Sequence, residues 1–450
     1  MIKKLVIKDL FGIKKNNRTI NFNEDLTILV GKNGAGKTTI LGILNSLIYK
    51  QFEKLFNYSF SELTLQTESS DLKVFKEDNV LEINYIIYND LGEIDKKLSE
   101  SLSIEKVKDD KIITNGSLEN FVAYDSKYFP TYRRLETDLL DLLTDADMRE
   151  HNFRHIYPKR IFDDLLNGLS NGVNNSNMVL GLSNKDINRI IDKKWNEVTE
   201  FEKNELNKLI RNFIFSLLSP ANPSETKTSN INLLSESFNS AQVQKELERM
   251  FKKVGYIVGQ DSPAISMIKE HVKQVEWAQE IFRNEKNNGK VEMDELGKTL
   301  EIFMSYTRIA QLLEMYRQTH DTISKKQKAF DELVTILEEF IEMKVSLTDG
   351  QLYFSKEGYN ITFEQLSAGE KQLVAMFVYT KLSLGDNGIV IIDEPELSLH
   401  IDWQRNFVRA LTDGSQKLQY IISTHSPFII SGYKNKVSFL AEIGVEELHG

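Results

Sequence analysis

The chain of 450 residues has no cysteine. That excludes disulfides, thiolate zinc sites and any zinc-held contact between copies that depends on thiols. It also has no apolar run of the ~18 residues needed for a membrane-spanning helix. Met1-Ile-Lys-Lys leads into a strand-like segment rather than the apolar core of a signal peptide, so a cytoplasmic protein with no membrane partner is expected. Positive charge is in deficit, with a formal net charge of −10. A chain this acidic does not coat nucleic acid generally, and any such contact has to come from local basic patches. The hydrophobic content of 41% and charged content of 27% fit a soluble globular protein of two or three domains.

Against these absences stand four motifs. Leu26-Thr-Ile-Leu-Val30 is almost wholly apolar and reads as a strand buried on both faces of a parallel sheet. Gly31-Lys-Asn-Gly-Ala-Gly-Lys-Thr38 follows at once. A helix with Ile40, Leu41, Leu44 and Leu47 on one side is then predicted from Thr38 to Ile48. Strand, glycine loop and helix in this order form a phosphate cradle. Gly31, Gly34 and Gly36 let the backbone turn so that its N–H groups face phosphate oxygens, with Asn33 inside the loop. Lys37 reaches the β and γ phosphates, the Thr38 hydroxyl suits Mg²⁺, and Thr39 extends the set into the helix.

Ile389-Val-Ile-Ile392 is a second buried-strand run and ends in Asp393-Glu394-Pro395. Asp393 suits Mg²⁺ through a water, and Glu394 suits the general base that polarises an attacking water. His425 follows a third apolar run, Tyr420-Ile-Ile422, within Ser-Thr-His-Ser-Pro, where it is positioned for a γ-phosphate. Leu366-Ser-Ala-Gly-Glu-Lys-Gln372 opens another predicted helix. Ser367 is its N-cap and Glu370 stands at the capping-box position, while Gly369 lies between them. A capped helix tip of this kind also binds anions.

In these motifs the chain resembles the ABC-type ATPase heads of the SMC, RecF and OLD group. The resemblance covers roughly residues 1 to 136 and 343 to 450. It implies an α/β P-loop NTPase head, a mixed sheet flanked by helices. It also implies that ATP and Mg²⁺ are bound and that ATP is hydrolysed, slowly. Ser367 and Gly369 would act in trans, so that two heads form a homodimer around ATP, with higher oligomers open. Asp393-Glu-Pro-Glu-Leu-Ser-Leu-His400 looks more like the OLD branch than like transporters, which usually carry Asp where His400 stands. The glutamine of the family's Q-loop has two candidate positions, Gln66 and the segment Tyr128-Phe-Pro-Thr-Tyr-Arg-Arg134.

Thr38 and Ser367 are far apart, so a large α-helical insertion is expected over 137–342, between head segments 1–136 and 343–450. Val80 to Tyr88 alternates like a strand of the head. Leu296, Leu300, Phe303, Ile309, Leu313 and Tyr316 recur at helical steps, and Phe330, Leu333, Leu337, Phe340 and Ile341 continue the pattern in a next segment. Core packing is favoured for both over a dimer seam, and a paired hairpin is one arrangement they permit. Asp349-Gly350 marks a hairpin returning the chain to the head. Turn formers at 167–177 and 219–230 read as loops. Arg149, His151, Arg154, His155, Lys159 and Arg160, interleaved with Phe153 and Tyr157, could meet a nucleic-acid backbone, but a solvated helix face is the favoured reading.

OLD nucleases carry a Toprim domain after the ATPase, whereas this chain ends soon after His425, at Gly450. ATP hydrolysis is therefore the expected catalysis, with a nuclease or other effector supplied by a separate protein. The chain is similar in this respect to stand-alone ATPase subunits of bacterial anti-phage systems, the Septu and retron-associated type ahead of the PARIS type. The alternative is a DNA-repair ATPase like RecF or SMC that binds DNA directly.

Overall fold

The computed structural model describes residues 1–89, 91–103, 125–130, 184–218, 240–253, 263–286, 293–414 and 417–440. The segments 137–183 and 219–239, with the basic and aromatic cluster at 149–160 and both turn-rich stretches, lie outside the described residues.

The described strands form three sheets. The first is antiparallel, in the order β2 (Arg18–Asn21), β1 (Ile2–Lys8), β4 (Glu62–Thr67), β5 (Ser70–Glu77), β6 (Val80–Tyr88) and β7 (Ile94–Ser103). The second is parallel, in the order β14 (Val437–Phe439), β3 (Leu26–Val30), β13 (Gln419–Ser423), β12 (Ile389–Asp393) and β8 (Ser126–Phe129). β12 and β13 are buried throughout, as their unbroken apolar runs require. A small antiparallel sheet joins β9 (Lys344–Thr348), β10 (Gln351–Lys356) and β11 (Tyr359–Ile361). Asp349 and Gly350, both at positive φ, make the β9–β10 hairpin.

Helix α1 (Lys37–Ile48) is buried nearly all round. Its Ile40, Ile43, Leu44 and Leu47 share one core cluster with Leu5, Leu63 and Val74 of the antiparallel sheet and with Leu29, Ile391 and Ile421 of the parallel sheet. Each such side chain contributes about 1.5–3 kcal/mol by leaving water. A second device joins the sheets. The Gln419 side chain, fully buried on β13, accepts from Ile2 N (2.9 Å) and donates to Ile2 O and Asn23 O (2.8 Å each). Its amide group is thereby satisfied in a place where an unpaired one would be costly.

The remaining helices are α2 (Asn184–Leu218), α3 (Ser240–Lys253), α4 (Pro263–Lys286), α5 (Met293–Ile341), α6 (Ala368–Val378), α7 (Ile401–Thr412) and α8 (Pro427–Ile430). The two apolar segments expected between 296 and 341 are one continuous helix, α5. Leu313, Tyr316, Phe330, Leu333, Leu337, Phe340 and Ile341 are buried as core, whereas Leu300 is exposed.

The chain divides into two compact units, one of Met1–Trp195 with Ala329–Gly450 and one of Asn196–Lys328. The second is helical, and its core draws Leu206, Leu247, Ile268 and Leu313 from α2, α3, α4 and α5 in turn. It is narrower than the span 137–342 expected for the insertion. The end of α5 belongs to the head unit, where Phe340 packs on Phe377 at 5.3 Å between ring centres. The start of α2 does too, through Trp195 edge-on to Phe330 at 5.6 Å.

Candidate functional site

Because β3, β13 and β12 are parallel and adjacent, their C-terminal ends share one edge of the sheet. Three of the four motifs begin at that edge, where ligands of open parallel sheets are bound. The glycine loop leaves β3 with Gly34 (φ 83°) and Gly36 (φ 91°) in left-handed backbone that a side chain would strain. Gly36 is the N-cap of α1, and neither a side-chain cap nor an acidic residue occupies the helix start. The first N–H groups are therefore free to meet an anion. Asn33 and Thr38 are exposed, and Thr39 is half-buried.

Lys37 is 5% exposed. Its ammonium donates to Gly31 O at 3.3 Å, contacts His425 Nε2, and lies 3.5 Å from Glu394 Oε1. His425 Nε2 is itself 3.5 Å from the same carboxylate oxygen. An ammonium has protons to give and no lone pair, so Nε2 is the acceptor here and the ring proton sits on Nδ1. The three residues expected to act on the terminal phosphate thus meet at one point, although they come from three separate parts of the chain.

Asp393 is buried, and its Oδ1 accepts from the Ser423 hydroxyl, its register partner on β13. Glu394 follows in left-handed backbone, φ 48° and ψ 58°. That uncommon conformation for a residue with a side chain swings the carboxylate off the strand line and onto Lys37 and His425. It is held by Glu394 N, which donates to Ser423 O (3.0 Å) and Ser423 Oγ (3.1 Å). Among the described residues no group of three or more His, Asp or Glu forms a metal cage. A hydroxyl from Thr38 and a carboxylate from Asp393 suit Mg²⁺, which keeps waters and phosphate oxygens as its other ligands.

Ser367 makes its hydrogen bonds elsewhere. It caps α6 in a complete capping box: Ser367 N and Oγ both donate to Glu370 Oε2 at 2.7 Å, and Glu370 N donates to Ser367 Oγ at 3.3 Å. Ser367 is exposed, and its hydrogen bonds run to Glu370 rather than to the glycine loop. Gly369 leans on the segment after Glu394, with Ser398 O 2.7 Å from where its Cβ would stand.

For the Q-loop, Gln66 lies within β4 and pairs with Asp71 Oδ2 at 3.5 Å. The other candidate segment begins on β8, whose Phe129 stands beside Ile392 at the same sheet edge as Asp393, and the part from Thr131 onward is outside the described residues. Four further residues support the site. Phe11, at φ 65°, lies 3.0 Å from the Cβ position of Gly36, while Glu396, Gln404 and Ser426 hold the histidine loop. Their neighbours in the motifs were a signal for Glu396 and Ser426, and nothing local marked Gln404 or Phe11.

The family model described as "AAA ATPase domain" matches residues 1–430. The chain belongs to the AAA ATPase domain family. It has a P-loop ATPase fold of mixed sheets flanked by helices, with a large helical region. Among curated proteins it is 33% identical over 141 residues to the Retron Vc95 probable ATPase of Vibrio cholerae serotype O1 biovar El Tor, covering 27% of each chain. It is 32% identical over 108 residues to the Retron Ec83 probable ATPase of Escherichia coli, covering 22% of this chain and 20% of that one. The chain therefore spans a quarter or so of the length of these relatives. Similar solved structures include the Smc head domain of Pyrococcus furiosus bound to the C-terminal domain of ScpA (12% identity, TM-score 0.33, covering 95% of this chain and 90% of that one). The SMC head domain of Thermotoga maritima is another (10% identity, TM-score 0.30, with the same coverage). Among the described residues, no helix is long and apolar enough to cross a membrane.

Proposed function

We propose that this ATPase works as a homodimer of heads, each nucleotide site being completed by Ser367 and Gly369 of the facing copy. The observation that carries the reading is the division of the motifs. Lys37, Glu394 and His425 converge within one chain, while Ser367 stands exposed at its helix tip and bonds to Glu370. Such a tip is half of an anion site. In this reading Lys37 and the free amides of α1 hold the β and γ phosphates. Thr38 and Asp393 would hold Mg²⁺, which would neutralise charge on the phosphates. Glu394 takes the proton from the attacking water, and His425 contacts the γ-phosphate once nucleotide draws Lys37 away. Ser367, released from Glu370, then adds a hydroxyl from across the dimer.

The biological setting we infer is a bacterial anti-phage complex in which ATP controls a separate nuclease or other effector. The identity shared with two retron-associated probable ATPases supports this setting.

Glu394→Gln keeps the shape and removes the base. It is expected to lower turnover at least a hundredfold and to leave a stable dimer with MgATP in light scattering. Full hydrolysis by this variant, or a monomer at saturating ATP, would overturn the reading.

A further inference from the structure

His425 sits between two residues that are both tied down. Its own backbone N donates to Glu396 Oε1 at 2.5 Å. Thr424 N donates to Leu29 O on β3 at 3.1 Å. The Ser426 hydroxyl accepts from Phe428 N and Ile429 N at the start of α8, and donates to Gln404 Oε1 at 2.6 Å. Gln404 belongs to α7 and is buried. Its amide nitrogen donates to Leu399 O (2.9 Å) and to Glu396 O (3.4 Å).

One side chain therefore holds the histidine loop with its oxygen and the segment 396–399 with its nitrogen. Only a primary amide does this, because it offers an acceptor and two donors at one carbon. Between the two carbonyls it grips stands Ser398, whose own carbonyl abuts Gly369 at the start of α6. Trp403, the residue before Gln404, touches the same Gly369 position at 3.3 Å. The contacts run unbroken from His425 through Ser426 and Gln404 to residues 396–399 and the tip of α6. Packed contacts with a hard backbone–backbone stop transmit displacement instead of absorbing it.

We infer that Gln404 is a positioning residue that couples the histidine loop of a protomer's own nucleotide site to the serine-tipped helix that it offers to its partner. The inference rests on the proposed roles of His425 and Ser367. Gln404 touches neither phosphate nor metal, and it acts by keeping His425 in register with α6. Its loss lowers the rate of hydrolysis but spares the grip of the glycine loop on ATP.

The test is a double-mutant cycle on the full chain, measuring steady-state MgATP hydrolysis for wild type, His425→Ala, Gln404→Met and the pair. Gln404→Met is expected to lower kcat at least tenfold and to leave KM within threefold. The double variant is expected to be no slower than His425→Ala by more than twofold, since both changes disable one device. A kcat within twofold of wild type for Gln404→Met overturns the inference. So does a double variant whose loss is the product of the single losses, because independent structural damage multiplies. His425→Ala hydrolysing at the wild-type rate removes the histidine from the proposed mechanism, and the coupling with it. A normal His425 effect with a silent Gln404 removes the coupling alone. If Gln404→Met does not fold, Ser426→Ala, which deletes the hydroxyl from the same bond, takes its place with the same thresholds.

Discussion

Gly369 and Ser398 stand in backbone contact, with no room for a side chain between them. A Cβ on Gly369 would lie 2.7 Å from the Ser398 carbonyl oxygen, and the Trp403 ring closes the other side at 3.3 Å. Glycine is required here by a close approach of main chains.

Gly369→Ala therefore forces the start of α6 away from residues 396–399. Overpacking of this kind costs about 1–3 kcal/mol. The proposed dimer should lose affinity by roughly tenfold or more, because the displaced tip carries Ser367. ATP binding to the isolated protomer should change by less than about threefold, since no bond of the glycine loop is touched. Sedimentation with MgATP and a fluorescent-nucleotide titration separate the two quantities.

Lys37→Ala removes the ammonium from between Gly31 O, Glu394 and His425. A hydrogen bond to a charged group is worth about 1.5–3 kcal/mol. The dissociation constant for ATP, read by calorimetry, should accordingly rise roughly 10- to 100-fold.

Lys381 is a buried lysine whose ammonium donates to Asp413 O at 2.5 Å and Leu411 O at 3.1 Å, at the end of α7. Burial pulls its pKa below the ordinary lysine value of 10.5, while Glu332 and Asp413 act in the other direction. Between the lowered value and 10.5 the unfolded chain binds the proton more tightly than the folded one, so stability rises with pH through that window. Lys381→Met should abolish this dependence. Wild type should gain stability relative to the variant as pH rises toward 10.5, in thermal unfolding followed from neutral pH upward.

Gln419→Leu leaves Ile2 N and Ile2 O without their side-chain partner in a buried place, and Asn23 O without it in a part-buried one. Each unpaired buried group costs about 1–3 kcal/mol. The head should unfold at a temperature lower by several degrees or more, seen by calorimetry. The transition of the helical unit should stay where it is.

The parallel sheet and α1 were legible because buried strands need near-continuous apolar runs, which Leu26–Val30 and Ile389–Ile392 supply, and a packed helix needs apolar residues at helical spacing, which Ile40, Leu41, Leu44 and Leu47 supply. The single helix α5 was not. Between Tyr316 and Phe330 its sequence is mostly polar, and Ile323 alone marks the buried face there. Lys37, Glu394 and His425 were read as one site because each belongs to a motif that starts at or next to the end of an apolar strand. Gln404 carries no local signal. Its role exists only once α7 lies against the loop after β13, and an amide in a helix reads as solvent-facing until the packing is known.

The bond between residues 2 and 419 also has a temporal meaning. The sheet that carries the glycine loop, Glu394 and His425 pairs β3, which precedes the helical unit in sequence, with β13 and β12, which follow it. During synthesis its central gap stays open until β13 has left the ribosome, whereas Asn196–Lys328 is contiguous and is available to fold long before. A fragment that ends before β12 would leave β3 without β13 beside it, and its bare strand edge is expected to aggregate.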